Sequence, residues 1–221
     1  MEIFRHKDRS KYLQSQIDRS NAKYSYCKVN MNETLAFKSI LESMNIESGP
    51  ILCLGTRNGR EIDLFRNVFF KNRLLVMLIK IFERRKRGFN SIFPSIEGYD
   101  RSNVSSINDE SVIGVEVNPA AARQDVWIGS FDEMPIDWTD KFSILYSNSF
   151  DQSQDPFKTA EEWKRVARKS AILIFGYSDA PPTESDPIGY IQHTDILELF
   201  GGELIYDDKD SFNYSYVIIK L

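Results

Sequence analysis

Four short apolar runs constrain this chain more than anything else in it: Ile51–Leu54, Val112–Val117, Phe142–Tyr146 and Ala171–Phe175. Each is apolar at nearly every position, which suits strands buried on both faces. Segments of helical spacing separate them. Leu35, Phe37, Ile40, Leu41 and Met44 recur on one side before the first run, in a helix opened by Asn32-Glu33-Thr34 and stopped by Gly49-Pro50. Ile62, Leu64, Phe65, Val68 and Phe69 do the same after it. Strands alternating with helices predict the α/β class, a doubly wound and mostly parallel sheet with helices on both faces. Glu203–Tyr206 and Tyr214–Ile219 then follow one another with no helix between, so an antiparallel hairpin is expected to end the sheet.

Local punctuation sharpens this outline. Asp155-Pro156 supplies a capping side chain and then proline at a first helical position, predicting a helix over 157–168. Another helix is expected near 193–200, and residues 5–20 predict a surface helix. Val126–Ile128 reads as a further short strand. With 221 residues the chain has room for one domain spanning 1–221, with N-terminal helices in 1–48 and a basic, apolar insertion near 71–109.

That insertion concentrates charge. Eight basic residues and one acid lie between Arg66 and Arg87, although the chain as a whole carries a net charge of −4. A basic island on an acidic body points to a local anionic partner, not to a protein coated in nucleic acid. As a helix, 74–82 puts Leu74, Leu75, Leu78, Ile81 and Phe82 on one stripe beside Arg84-Arg85-Lys86-Arg87. Such a stripe suits packing on the domain, a homo-oligomer contact, or peripheral contact of 71–87 with an anionic membrane. No run reaches the roughly 18 apolar residues of a membrane span. The first residues lack the apolar stretch of a signal peptide. Cys27 and Cys53 are the only cysteines and read as thiols of a reducing, cytoplasmic compartment. Two histidines and two cysteines argue against structural zinc, and no metal is expected.

Two features point to a ligand. The turn Gly55-Thr56-Arg57-Asn58-Gly59 follows a strand and opens a helix, where glycine permits close approach and free N–H groups face outward. Glu116 ends the next core strand, where a carboxylate can accept two ribose hydroxyls. The insertion accounts for a separation far above the roughly 20 residues of the usual dinucleotide pattern.

These segments, taken in order over about residues 50–177, resemble the class I S-adenosylmethionine-dependent methyltransferases. Ile51 to Gly59 is similar to their first motif, and Val115 to Pro119 to the acidic end of their second strand. Gly129 to Pro135 is similar to their adenine-contacting turn, Phe142 to Ser149 to their fourth strand, and Glu162 to Val166 with Ala171 to Phe175 to the helix and strand that follow. The sequence departs from the pattern at three places. Cys53 and Ser130 stand where acids are usual, and Arg57 replaces the middle glycine.

The resemblance implies a seven-stranded sheet whose last strand is inserted antiparallel, with S-adenosyl-L-methionine as cofactor. It places Gly55, Arg57, Gly59, Glu116, Ser130, Phe131 and Asn148 at the cofactor, with Arg57 meeting its carboxylate. Asn148-Ser149-Phe150-Asp151-Gln152 would then face the methyl group, because ligands bind at the carboxyl edge of such sheets. An alcohol acceptor needs a base. Asp151 is the first candidate, and His193, beyond the Pro-rich loop 178–187, is the second. The implied reaction is O-methylation of a small-molecule or glycan-like acceptor whose hydroxyls meet Asp179, Thr183, Glu184, Ser185 and Asp186. An RNA or other nucleic-acid methyltransferase using the basic island is the alternative enzyme. A non-catalytic binding or scaffold protein on the same fold is the alternative of another class.

Overall fold

The structure, a computed structural model, describes residues 1–23, 26–71, 107–208 and 215–221. The stripe Leu74–Phe82 and the cluster Arg84–Arg87, with the oligomer, membrane and RNA contacts expected there, lie outside the described residues. Among the described residues, no helix is long and apolar enough to cross a membrane.

The core is a seven-stranded sheet. In chain order its strands are β2 (Ile51–Leu54), β3 (Val112–Glu116), β4 (Val126–Ile128), β5 (Phe142–Ser147), β6 (Ala167–Tyr177), β8 (Glu203–Asp208) and β9 (Ser215–Lys220). Their spatial order is β4-β3-β2-β5-β6-β9-β8. The pairs from β4 through to β6 are parallel, while β9 runs antiparallel to both β6 and β8. This is the doubly wound sheet with its terminal hairpin. A two-stranded ribbon of β1 (Glu2–Ile3) and β7 (Ile188–Gly189) sits apart from it.

Alternation along the strands divides the core. Leu52, Leu54, Val115, Leu145, Leu173 and Phe175 point to one face, where Trp163 of α4 (Pro156–Val166) and Phe200 of α5 (His193–Phe200) cover them. Ile51, Cys53, Ile144, Tyr146, Ile172 and Ile174 point to the other. There Phe37 of α2 (Met31–Ser43) and Phe65 of α3 (Arg60–Phe70) pack on them.

Three boundaries differ from those read in the sequence. Helix α2 starts earlier, because Asn30 caps it: its side chain accepts from the Asn32 and Glu33 amides, and Glu33 accepts in return from the Asn30 N–H. Strand β6 starts at Ala167, so α4 ends sooner than 168. The helix expected over 5–20 is α1 (Arg9–Ala22), capped by Asp8; it lies on the surface but buries one face. Tyr12, Gln16 and Ser20 form a buried face directed at the ends of the sheet.

Parallel register brings the ligand-binding segments together. Leu54, the last residue of β2, lies opposite Val115 of β3 and Ser147 of β5. The turn after β2, the acid ending β3 and the loop after β5 therefore emerge side by side.

Trp163 anchors one face. It is fully buried, its indole N–H donates to the Phe131 carbonyl at 3.1 Å, and Phe131, Phe150, Phe175 and Phe200 surround its ring. Trp163→Ala is expected to cost about 3–5 kcal/mol of stability. Urea denaturation should show the midpoint falling with little change in slope.

Candidate active site

The turn between β2 and α3 has a backbone that few sequences tolerate. Gly55, Arg57 and Gly59 have φ of 80°, 50° and 72°. At Gly55 a Cβ would also fall 2.6 Å from the Ser149 Cβ, so only glycine fits. At Gly59 it would fall 2.8 Å from Nη1 of Arg123, whose guanidinium donates to the Gly59 carbonyl at 3.3 Å. Gly59 is thus favoured by its positive φ, with the Arg123 guanidinium packed beside it. It does not line the cleft described below. Arg123 is in turn held by Asp63 and Asp125, at 2.8 and 2.9 Å.

Arg57 occupies the left-handed region without glycine's freedom, at a cost of about 1–2 kcal/mol. Glu116 offsets this. Its Oε2 accepts the Arg57 N–H at 2.7 Å, and its Oε1 accepts the Asn118 N–H at 3.1 Å. Each oxygen keeps a further lone pair. Burial pushes the Glu116 carboxyl above its ordinary range, and the two backbone N–H groups oppose that shift. The Arg57 guanidinium lies 5.6 Å from the centre of the Tyr26 ring and reaches the Lys23 carbonyl at 3.5 Å.

Gly55, Arg57, Asn148 and Asp151 share one cleft of about 530 Å³. A smaller recess continues from Gly55 and Arg57 to Glu116 and Val117. The cofactor side and the acceptor side expected from the sequence therefore meet in one place. Asn148 is oriented by Tyr146, whose hydroxyl accepts its side-chain N–H at 2.9 Å.

Asp151 follows β5 on the first turn of a short 3₁₀ segment, Phe150–Gln152. Its Oδ1 is buried without a hydrogen-bond partner. Burial pushes the carboxyl up to about 7, repulsion from Asp186 adds to this, and Lys28 and Arg19 pull it down. Lys28 is pushed down to about 8 by burial, with Asp151 and Asp186 opposing. A carboxyl and an amine thus sit in one cleft with pKa values drawn toward neutrality.

Besides Gly59, two more of the expected cofactor residues and the second candidate base lie elsewhere. Phe131 is buried in the core under Trp163. Ser130 accepts the Asp132 N–H at 3.2 Å within its own turn. Neither lines the cleft. His193 begins α5 with Nδ1 at 3.1 Å from Asp207, out of line for a hydrogen bond, and Tyr177 donates to the same carboxylate at 3.1 Å. The Pro-rich loop instead sends Asp186 to the cleft.

Helix α1 closes the site from above. Asn118 donates to Ser20 and Asn21 at 3.1 and 2.8 Å, and the Tyr12 hydroxyl donates to the Gln152 carbonyl. Gln16 donates to the Ser185 carbonyl at 2.7 Å, and Arg19 forks onto Asp186, with one arm at 2.9 Å. One helix thereby ties together the loops after β3, β5 and β6.

Sequence reasoning missed Arg19, Lys28 and Glu61 on the cleft wall. Arg19 and Lys28 precede every recognised motif, and nothing local marks them. Glu61 carried a signal, being an acid beside Ile62 at the start of an apolar helix face. It is 4% exposed, and its Oε2 is buried without a hydrogen-bond partner. Burial pushes its carboxyl up to about 7, against its own backbone N–H, the Cys27 thiol and Arg57.

No family model matches this chain, and no curated protein matches it in sequence. Solved structures do. A chain from the complex between the Haloferax volcanii Trm112 methyltransferase activator and a methyltransferase superposes with a TM-score of 0.55 at 14% identity, covering 95% of this chain and 96% of that one. The Burkholderia thailandensis 1,6-didemethyltoxoflavin-N1-methyltransferase, with 1,6-didemethyltoxoflavin and S-adenosylhomocysteine bound, superposes at 0.57 and 10% identity, covering 98% and 92%. With this sheet order and its antiparallel β9, the chain has the fold of the class I S-adenosylmethionine-dependent methyltransferases.

Proposed function

We propose that this protein transfers a methyl group from S-adenosyl-L-methionine to an oxygen of a small-molecule or carbohydrate-like acceptor, with Asp151 as general base. The observation that carries the proposal is the buried, unpartnered Oδ1 of Asp151 in the cleft that Gly55, Arg57 and Asn148 also line. The residues present suit the cofactor. Glu116 retains lone pairs for ribose hydroxyls, the Gly55 turn borders the cleft, and Arg57 offers a planar fork for a carboxylate. A likeness to the Burkholderia thailandensis enzyme, which holds S-adenosylhomocysteine, supports the same choice.

S-adenosylmethionine supplies an electrophilic methyl group on a sulfonium. The chain's own residues do the rest. Asp151 takes the proton of the acceptor hydroxyl as the oxygen attacks, because a neutral alcohol is a poor nucleophile. Its raised pKa suits this work near neutral pH. Lys28 and Arg19 stabilise the carboxylate that must form first. Asn148, fixed by Tyr146, borders the reacting atoms, and α1 holds the loop that carries Asp151. Positioning of this kind contributes several kcal/mol by itself. Oxygen is favoured over nitrogen because a neutral amine needs no base before it attacks, whereas the cleft provides one.

Three measurements test the proposal. Calorimetry should show S-adenosylhomocysteine binding to the wild type and losing about 1.5–3 kcal/mol in Glu116→Ala. Unchanged affinity in that variant removes Glu116 from the cofactor site. With a panel of hydroxylated acceptors, Asp151→Asn should keep cofactor affinity while kcat falls by roughly 10²–10⁴. The pH profile follows from the shift. Asp151 works as the carboxylate, so kcat should rise as pH increases through about 7 and level off above it. Asp151→Asn should abolish that limb, and a limb that survives the substitution assigns the base elsewhere.

A further inference from the structure

Glu61 is a cleft acid without a role in the scheme above. An acid in the first turn of a helix ordinarily sits in water and complements the dipole. Glu61 does not. It is buried on the wall beside the glycine turn, with Oε2 unpartnered. A buried carboxyl oxygen without a donor is costly, and a ligand with N–H donors in the cleft removes that cost. The groups around Glu61 limit what the ligand can be. They are the Cys27 thiol, Arg57 on the turn, Glu116 ending β3, Cys53 on β2, and Tyr146 and Tyr216 on β5 and β9. Glu116 is the only other carboxylate among them, and both its oxygens already accept backbone N–H groups. A divalent ion that wants six or more oxygens is poorly served there. An ammonium group needs one carboxylate and presents three donors.

We propose that Glu61 is the counter-charge for the α-ammonium group at the amino-acid end of the cofactor, with Arg57 facing the carboxylate of that same end. This rests on the methyltransferase reading. A zwitterionic amino acid carries both charges on one carbon, and the cleft offers an acid and a guanidinium four residues apart around a single turn. β2 (Ile51–Leu54) contributes no acid of its own. Glu61 is then the carboxyl that the turn itself brings to this end.

A consequence distinguishes this role from a structural one. Free Glu61 is largely protonated below about pH 7, and an ammonium partner ionises it, so binding releases a proton. Affinity for the amino-acid end should tighten with rising pH, by up to about tenfold per pH unit on the acid side. The test is calorimetry of the wild type and Glu61→Gln at about pH 6, in buffers of different ionisation enthalpy. The probes are S-adenosylhomocysteine and 5′-methylthioadenosine, which lacks the amino-acid end. Glu61→Gln should release about one proton fewer with S-adenosylhomocysteine and bind it roughly ten- to a hundredfold more weakly. It should bind methylthioadenosine as the wild type does. Equal weakening for both probes makes Glu61 structural and overturns the proposal, as does unchanged binding of both. The wild type alone provides a second check: only S-adenosylhomocysteine should bind more tightly as pH rises, and parallel profiles overturn the assignment. If the wild type binds neither probe, the methyltransferase reading falls with it.

Discussion

The contact between the Glu116 carboxylate and the Arg57 N–H governs the rest of the site. A turn with positive φ at residues 55, 57 and 59 is unstable unless something outside it fixes its shape. Glycine relieves two of those positions, and the third is held by a charged acceptor from the neighbouring strand. The same carboxylate also takes the Asn118 N–H, which shapes the loop after β3. Asn118 then reaches across to Ser20 and Asn21, so the placement of α1 depends on the same corner of the sheet. One acid at a strand end thus connects the turn, the loop and the helix that roofs them.

Burial explains the electrostatics of the two raised carboxyls. Asp151 and Glu61 are both pushed up to about 7, because desolvation disfavours the charged form. Arg19 contributes twice, forking onto Asp186 to hold the Pro-rich loop and lowering the cost of charge on Asp151. The two raised carboxyls have separate neighbours, Lys28 and Asp186 for one, Cys27 and Arg57 for the other. The two carboxyls can therefore respond to pH independently.

The legible parts of the sequence are those where local pattern and global fold agree. Strands β2, β3 and β5 are runs of apolar residues with turn signals at their ends, and they appear within a residue or so of their expected places. Asp155-Pro156 marks the start of α4 because a cap and a proline act within one turn. Helix α1 was legible as a helix but not as a roof. Tyr12, Gln16 and Ser20 are polar or half-polar, so no apolar stripe reveals that this face is buried. Its partners, at Asn118, Gln152 and Ser185, are distant in sequence.

The same distinction holds for individual side chains. The order of apolar runs, the glycine turn and the acid ending β3 determine the sheet and the edge where a ligand must lie, since parallel strands deliver their carboxyl ends to one side. Asp151 followed from that edge alone, being the first acid after β5. His193 did not, because whether it faces the cleft or Asp207 depends on how α5 packs beside β8, and no local feature records that. Ser130 and Phe131 occupy a recognisable turn, yet the Trp163 indole draws the Phe131 backbone into the core. Spacing along the chain determined which segments meet. Burial and the directions of long side chains, which are settled only when distant elements pack, decided which of their residues face the cleft.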